Sequence, residues 1–238
     1  MSIRKNTLIL STLLLAHSTA SFAEGAGTDS MFGVWGSVFL QGSLKSVSPD
    51  LDKVKWQIMN QARTRDDSSK GSRFSEDLLF SQIGYQFNPN ASLWVGYEHG
   101  WVHPLNKPAF QESRPYQDFV WNQSIDDFKL MSRTRMEARI NQTTGDVGYR
   151  PRQFFQISHP LPFLDGLSVY LGDEVLFYVN KNNFGKQGFS ENWVLSGLSY
   201  QFTPAMSMDL GYLGQYVDNK TGNNVFTHNL QANLRYNF

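Results

Sequence analysis

Arg133, Arg135, Glu137 and Arg139 stand at alternate positions of one short run. A strand sends successive side chains to opposite faces, so an extended backbone puts these four charges on one face and Leu130, Met136, Ala138 and Ile140 on the other. Arg150 and Arg152 repeat the spacing a few residues on. The same face rule selects Glu76, Glu98, Glu112, Asp118 and Glu174 as acidic partners, and Arg63, Arg114 and Arg235 join the basic set. Two chemistries follow. A guanidinium fork grips a carboxylate through two parallel hydrogen bonds, so the set can form a packed ion-pair interior in which an unpaired charge would be costly. Alternatively, a surplus of arginine around a narrow space makes a basic constriction that selects anionic solutes. Either requires strands that enclose a polar space.

Other chemistry has thinner support. Beyond the leader, histidines occur at His99, His103, His159 and His228. A nucleophile, a base and an orienting group must come within hydrogen-bond reach for catalysis. Ser158 and His159 are adjacent, and neighbours on a strand face opposite ways; His99 and His228 fall on the apolar face near strand ends. A lipid-modifying enzyme is therefore a lesser alternative, and no catalytic residue is assigned. Asp66-Asp67 and Asp126-Asp127 could hold Ca²⁺ only loosely, as carboxylates in connecting segments, so neither a metal site nor a cofactor is expected. Lys and Arg total 21 against 21 Asp and Glu; a neutral chain with no phosphate-cradling loop gives no sign of a nucleic-acid partner.

The elements that would position the charges are strands. In the last segment Phe226, His228, Leu230, Ala232, Leu234, Tyr236 and Phe238 share one face, and Thr227, Asn229, Gln231, Asn233, Arg235 and Asn237 share the other. Such a strand suits a wall between hydrocarbon and a polar lumen. Residues 83–97 and 198–212 read alike, each as strand, Pro-containing turn, strand. Tyr-x-Phe precedes both turns, at Tyr85/Phe87 and Tyr200/Phe202, and recurs at Tyr236/Phe238, as a girdle at one membrane interface would. Strands are predicted near 32–42, 54–64, 74–87, 91–102, 115–124, 127–140, 149–160, 167–180, 190–202, 205–217 and 226–238. Short connections fall near Asn88, Ile125, Pro162 and Pro204, on the side of the C-terminus, which is expected to be periplasmic. Longer polar ones cover 65–73, 103–114, 141–148, 181–189 and 218–225. The segment 43–53 breaks the pattern, being long yet on the short side. Eleven strands emerge, but bacterial single-chain barrels have even counts. The expected fold is therefore all-β: an antiparallel up-and-down transmembrane β-barrel of ten to twelve strands, with twelve favoured.

The first residues read differently. Arg4 and Lys5 precede a nearly apolar run from Thr7 to Ala16, too short for the ~20 residues of a spanning helix, and Ser21-Phe22-Ala23 is a small-x-small cleavage site. Residues 1–23 are expected to be a cleaved signal peptide and 24–238 a single barrel domain. With no cysteine, disulfides and thiolate metal sites are excluded.

Several runs resemble a known family. Glu112-Ser113-Arg114, the stretch Leu130 to Arg139, Tyr149-Arg150-Pro151-Arg152, Asp173-Glu174-Val175-Leu176-Phe177, Gly188-Phe189-Ser190-Glu191-Asn192 and Gly211-Tyr212-Leu213-Gly214-Gln215-Tyr216 are similar to the bacterial family known as domain of unknown function 2490. Trp193, where Arg is expected, and Pro151 between two arginines depart from its pattern. The resemblance implies an outer-membrane barrel and no particular activity. Leu234, Tyr236 and Phe238 resemble the terminal signature that the barrel-assembly machinery reads. The expectation is a bacterial outer-membrane protein of unassigned activity, with outer-membrane lipid and that machinery as partners. A narrow channel for small anions is the first reading of its lumen; a filled, non-conducting barrel and a lipid-modifying enzyme are the alternatives.

Overall fold

Side-chain alternation along the chain produces eleven strands in a computed structural model that describes residues 27–67, 71–105 and 107–238. They are β1 (Thr28–Ser43), β2 (Val54–Asp67), β3 (Gly71–Gln86), β4 (Ala91–Val102), β5 (Phe110–Ile125), β6 (Phe128–Asn141), β7 (Val147–Pro160), β8 (Leu167–Tyr178), β9 (Gly188–Thr203), β10 (Met206–Val217) and β11 (Asn224–Asn237). Each pairs with its neighbours in sequence, and β1 meets β11 to close a barrel. The expected leader, residues 1–23, lies outside the described residues.

The favoured count of twelve is corrected to eleven, and with it the expectation of purely antiparallel pairing. In an up-and-down array the first and eleventh strands run the same way, so their junction is parallel: Thr28 stands beside Asn224 and Gln41 beside Asn237. Every other junction is antiparallel. Thr28 and the C-terminal strand end therefore lie at opposite ends of the barrel. The end that carries Asn237 also carries the connections 87–90, 126–127, 161–166 and 204–205, together with 44–53, which folds into two single 3₁₀ turns. The opposite end carries 103–109, 142–146, 179–187 and 218–223.

The two faces differ in chemistry. Phe32, Val38, Ile83, Val95, Phe155 and Leu230 are exposed on the outer wall, while charged, amide and aromatic side chains are buried within. At the short-connection end the rings of each Tyr-x-Phe pair meet edge to face, with centroids 5.7 Å apart for Tyr85/Phe87, 4.9 Å for Tyr200/Phe202 and 4.8 Å for Tyr236/Phe238. From the parallel seam an amide ladder follows the register across β1, β2 and β3. Gln41 donates to Asn237 at 2.5 Å, Gln57 to Gln41 at 2.7 Å and Gln82 to Gln57 at 2.7 Å.

Glycine is required where β9 and β10 approach under Tyr170. A Cβ at Gly197 would lie 2.4 Å from the Leu210 carbonyl oxygen and 2.6 Å from both the Gly211 Cα and the Tyr170 hydroxyl. Two of those atoms are backbone and cannot swing aside. Gly197→Val is expected to destabilise the barrel by about 1–3 kcal/mol, the usual cost of overpacking. Urea unfolding of the refolded protein measures it, and an unchanged midpoint would contradict the close approach.

Candidate functional site

Strand register assembles the charges. Asp118 on β5 stands opposite Arg135 on β6, Glu137 on β6 opposite Arg150 on β7, and Glu98 on β4 opposite Arg114 on β5. Opposite charges on one face at neighbouring positions need no backbone distortion to pair. Arg135 forks onto Asp118 with both contacts at 2.7 Å. Arg150 bridges Glu137 at 2.6 Å and Glu191 at 3.0 Å. Arg152 forks onto Glu174 at 3.0 and 2.8 Å and reaches Glu137 at 3.3 Å, and Arg133 joins Glu174 at 2.9 Å. Glu112 accepts a fork from Arg114 at 2.6 and 2.9 Å and a second fork from Arg139, which also donates to the Tyr178 hydroxyl at 2.8 Å. Arg63 meets Glu76 at 2.8 Å, and Arg235 meets Asp209. The structure thus gathers all fourteen charged residues singled out by the face rule on the inner wall.

Rings fill the space between the forks. Arg63 lies 3.8 Å over Trp35, Arg135 3.8 Å over Tyr116 and Arg152 4.9 Å over Trp193. Trp35 on β1 meets Trp193 on β9 at a centroid distance of 5.2 Å, although β10 and β11 separate those strands in the wall. That contact crosses the lumen, and Leu176 and Leu213 pack against it. On the opposite wall Leu78, Phe80 and Tyr116 form a second cluster.

Residues 179–187 join β8 to β9 at the long-loop end. Asn182 is buried, and its side-chain oxygen accepts from the backbone N–H of Phe184 and Gly185 at 2.9 and 3.0 Å. This turns Phe184 inward, 4.6 Å from the Arg139 guanidinium. Asn180 ties the loop to β7, accepting from the Tyr149 N–H and donating to the Val147 carbonyl. Lys186 binds Asp218 of the next loop at 2.8 Å, and that hydrogen bond, with the carboxylate charge, holds its ammonium above the usual lysine range.

Two carboxylates escaped the sequence reading, Glu191 and Asp209. Glu191 also accepts from Trp193 at 2.9 Å and Gln215 at 3.0 Å. Alternation from Gln215 or Trp193 would have turned both inward. The histidines face elsewhere. His228, exposed on the outer wall, shares a 2.8 Å hydrogen bond with Tyr212, and the half-buried His99 a 3.1 Å one with Gln111. His159 packs against Phe128. Among the described residues no three histidines or carboxylates gather as a metal site would require. Leu234, Tyr236 and Phe238 are exposed on the outer wall at the short-connection end.

Glu98 differs from its neighbours. It is fully buried, yet among the described residues neither oxygen has a hydrogen bond; the 2.5 Å approach of Arg114 Nη1 lacks the angle for one. Arg114 is already committed to Glu112. Glu98→Gln is therefore expected to be neutral or stabilising, within about 1 kcal/mol, because it removes a buried charge without breaking a fork. Glu112→Gln, which strands two arginines, should be clearly destabilising. Equal losses for both in parallel unfolding curves would contradict this ranking.

The chain is 26% identical over 237 residues to an uncharacterised protein of Methylorubrum extorquens, with 98% of each chain covered. Residues 32–226, which run from β1 into β11 and take in the whole ion-pair network except Arg235, match a family described only as protein of unknown function, DUF2490. With that span matched, the chain belongs to the DUF2490 family.

Proposed function

We propose that this protein is an outer-membrane barrel that conducts no solute, its lumen closed by its own ion pairs. One observation carries the reading. The inward arginines Arg63, Arg114, Arg133, Arg135, Arg139, Arg150, Arg152 and Arg235 each oppose a carboxylate. An anion-selective constriction needs positive charge left over for the solute, and the guanidinium charge at the barrel's middle is spent within the wall. The crossing Trp35–Trp193 contact and the inturned Phe184 oppose conduction by bulk as well.

Membrane insertion is supported by the apolar outer wall and by the three aromatic pairs at one rim, where amphipathic rings suit a lipid–water boundary. A charge at mid-membrane costs about 2–4 kcal/mol on the lipid face, and the arginine ladder points inward. The apolar leader-like run and the terminal Leu234, Tyr236 and Phe238 agree with export and assembly into the outer membrane. The barrel then exposes its long loops outward and its short connections to the periplasm, and acts as a structural or surface-presenting protein.

Planar-bilayer recording from the refolded protein tests the reading. A silent bilayer is expected, with steps emerging only when Trp35 and Trp193 are both cut to alanine. Stable anion-selective steps from the unaltered protein would overturn it.

A further inference from the structure

The lumen is filled unevenly. Ion pairs, rings and the inturned loop occupy its middle and its long-loop half, whereas the inward side chains of β5–β7 near the short connections, among them Asn122, Lys129, Met131 and Gln156, are half-buried or exposed. There, between the 87–90 connection and the wall of β5–β7, lies a cavity of about 520 Å³ whose lining includes Asn90, Asn122, Ser124, Lys129, Gln156 and Ser158. Its volume falls within the roughly 300–1,000 Å³ typical of small-ligand sites. The polar lining comprises amides, hydroxyls and one ammonium, with no carboxylate.

Lys129 is the unusual member. It shares the inward face of β6 with Arg133, Arg135 and Glu137, but among the described residues no carboxylate pairs with it. Arg133, one turn of the alternation beyond Met131, forms the boundary with the filled region. Its side chain is 26% exposed, against 6% for Arg135, and it is held by Glu174. Lys129 is therefore the one cation of the lining, and it stands beside amides and serines. A cationic ligand would meet uncompensated positive charge, and an apolar one would leave the amides without partners. An anionic group facing Lys129, carried on a body rich in hydroxyls, satisfies both.

We propose that this cavity binds a polyhydroxylated anion, a sugar unit bearing a carboxylate or a phosphate. Lys129 takes the anionic group, and Asn122, Gln156 and Ser158 exchange hydrogen bonds with the hydroxyls. Because the lumen is filled beyond Arg133, the ligand enters and leaves through the same mouth. The site stands on the inner wall independently of whether the barrel conducts.

Isothermal titration of the full refolded chain in detergent tests this separately from any conductance. The probes are digalacturonate, glucose 6-phosphate, the neutral disaccharide maltose and inorganic phosphate. Saturable one-to-one binding of digalacturonate or glucose 6-phosphate is expected, and whichever binds identifies the anionic group. Lys129→Gln should weaken it about tenfold, the equivalent of one charge-assisted hydrogen bond, and Asn122→Ala should weaken it without changing its salt dependence. Lys129 is exposed and pairs with no carboxylate among the described residues, so its replacement should leave the unfolding midpoint unmoved. Three results would overturn the proposal: neither sugar anion saturates, Lys129→Gln binds as well as the parent, or inorganic phosphate or maltose binds as tightly as the sugar anions.

Discussion

Glu137→Ala is expected to cost about 3–5 kcal/mol of barrel stability, the loss usual when one partner of a buried ion pair is removed and the other stays. Glu137 takes Arg150 at 2.6 Å and Arg152 at 3.3 Å, and Arg135 stands 4.0 Å away. All four side chains are nearly inaccessible. Cutting Glu137 leaves Arg150 leaning on Glu191 alone and concentrates positive charge at the barrel's middle. The cost comes mainly from uncompensated arginine rather than from lost attraction, so a second change should recover part of it. Glu137→Ala with Arg150→Met is expected to be more stable than Glu137→Ala alone. Urea unfolding followed by tryptophan emission suits the measurement, because Trp193 contacts Arg152 and Glu191. A loss below about 1 kcal/mol, typical of solvated pairs, would mean that water reaches this network, and the closed-lumen reading would fall with it.

Much of this arrangement is legible in the residues themselves. Alternation alone places Arg133, Arg135, Glu137 and Arg139 inward, since a charged outer wall would oppose an apolar solvent. Ten of the eleven strands fall within a few residues of their predicted limits. The exception is β5, predicted from 115 but running from Phe110. Proline at Pro115 lacks the N–H that a ladder uses and so reads as a strand boundary; the chain passes through it, and Glu112 and Arg114 gain strand geometry on the far side. Which carboxylate meets which arginine was not legible, because partners depend on register between strands, and alternation fixes only the face. The inturned loop 179–187 is hidden for a similar reason. Phe184 turns inward through Asn182 accepting from two backbone amides, a local capping geometry with no periodic signature. The even-number expectation misled because it describes how barrels usually close, whereas eleven strands close here through one parallel junction.

That junction has a direct test. Gly36 on β1 pairs with Ala232 on β11, both on the outer wall, and a Cβ at Gly36 meets no atom within 4 Å. The chain has no cysteine, so Gly36→Cys with Ala232→Cys introduces the only two thiols. Parallel neighbours lie about 4.8 Å apart across a ladder, within the Cα range a disulfide accepts. Oxidation of the refolded double variant is expected to give near-complete intramolecular cross-linking, visible as a mobility shift reversed by reductant. The bond would close nearly the whole barrel into one loop, and loop-closure entropy then stabilises it by roughly 5 kcal/mol in the chain-entropy account. The control pairs Gly36→Cys with Tyr236→Cys, four residues along β11 and so about 13 Å removed; it should stay reduced. If the control cross-links and the first pair does not, β1 is shifted or reversed against β11, Thr28 no longer stands beside Asn224, and the amide ladder from Asn237 to Gln82 loses the register that builds it.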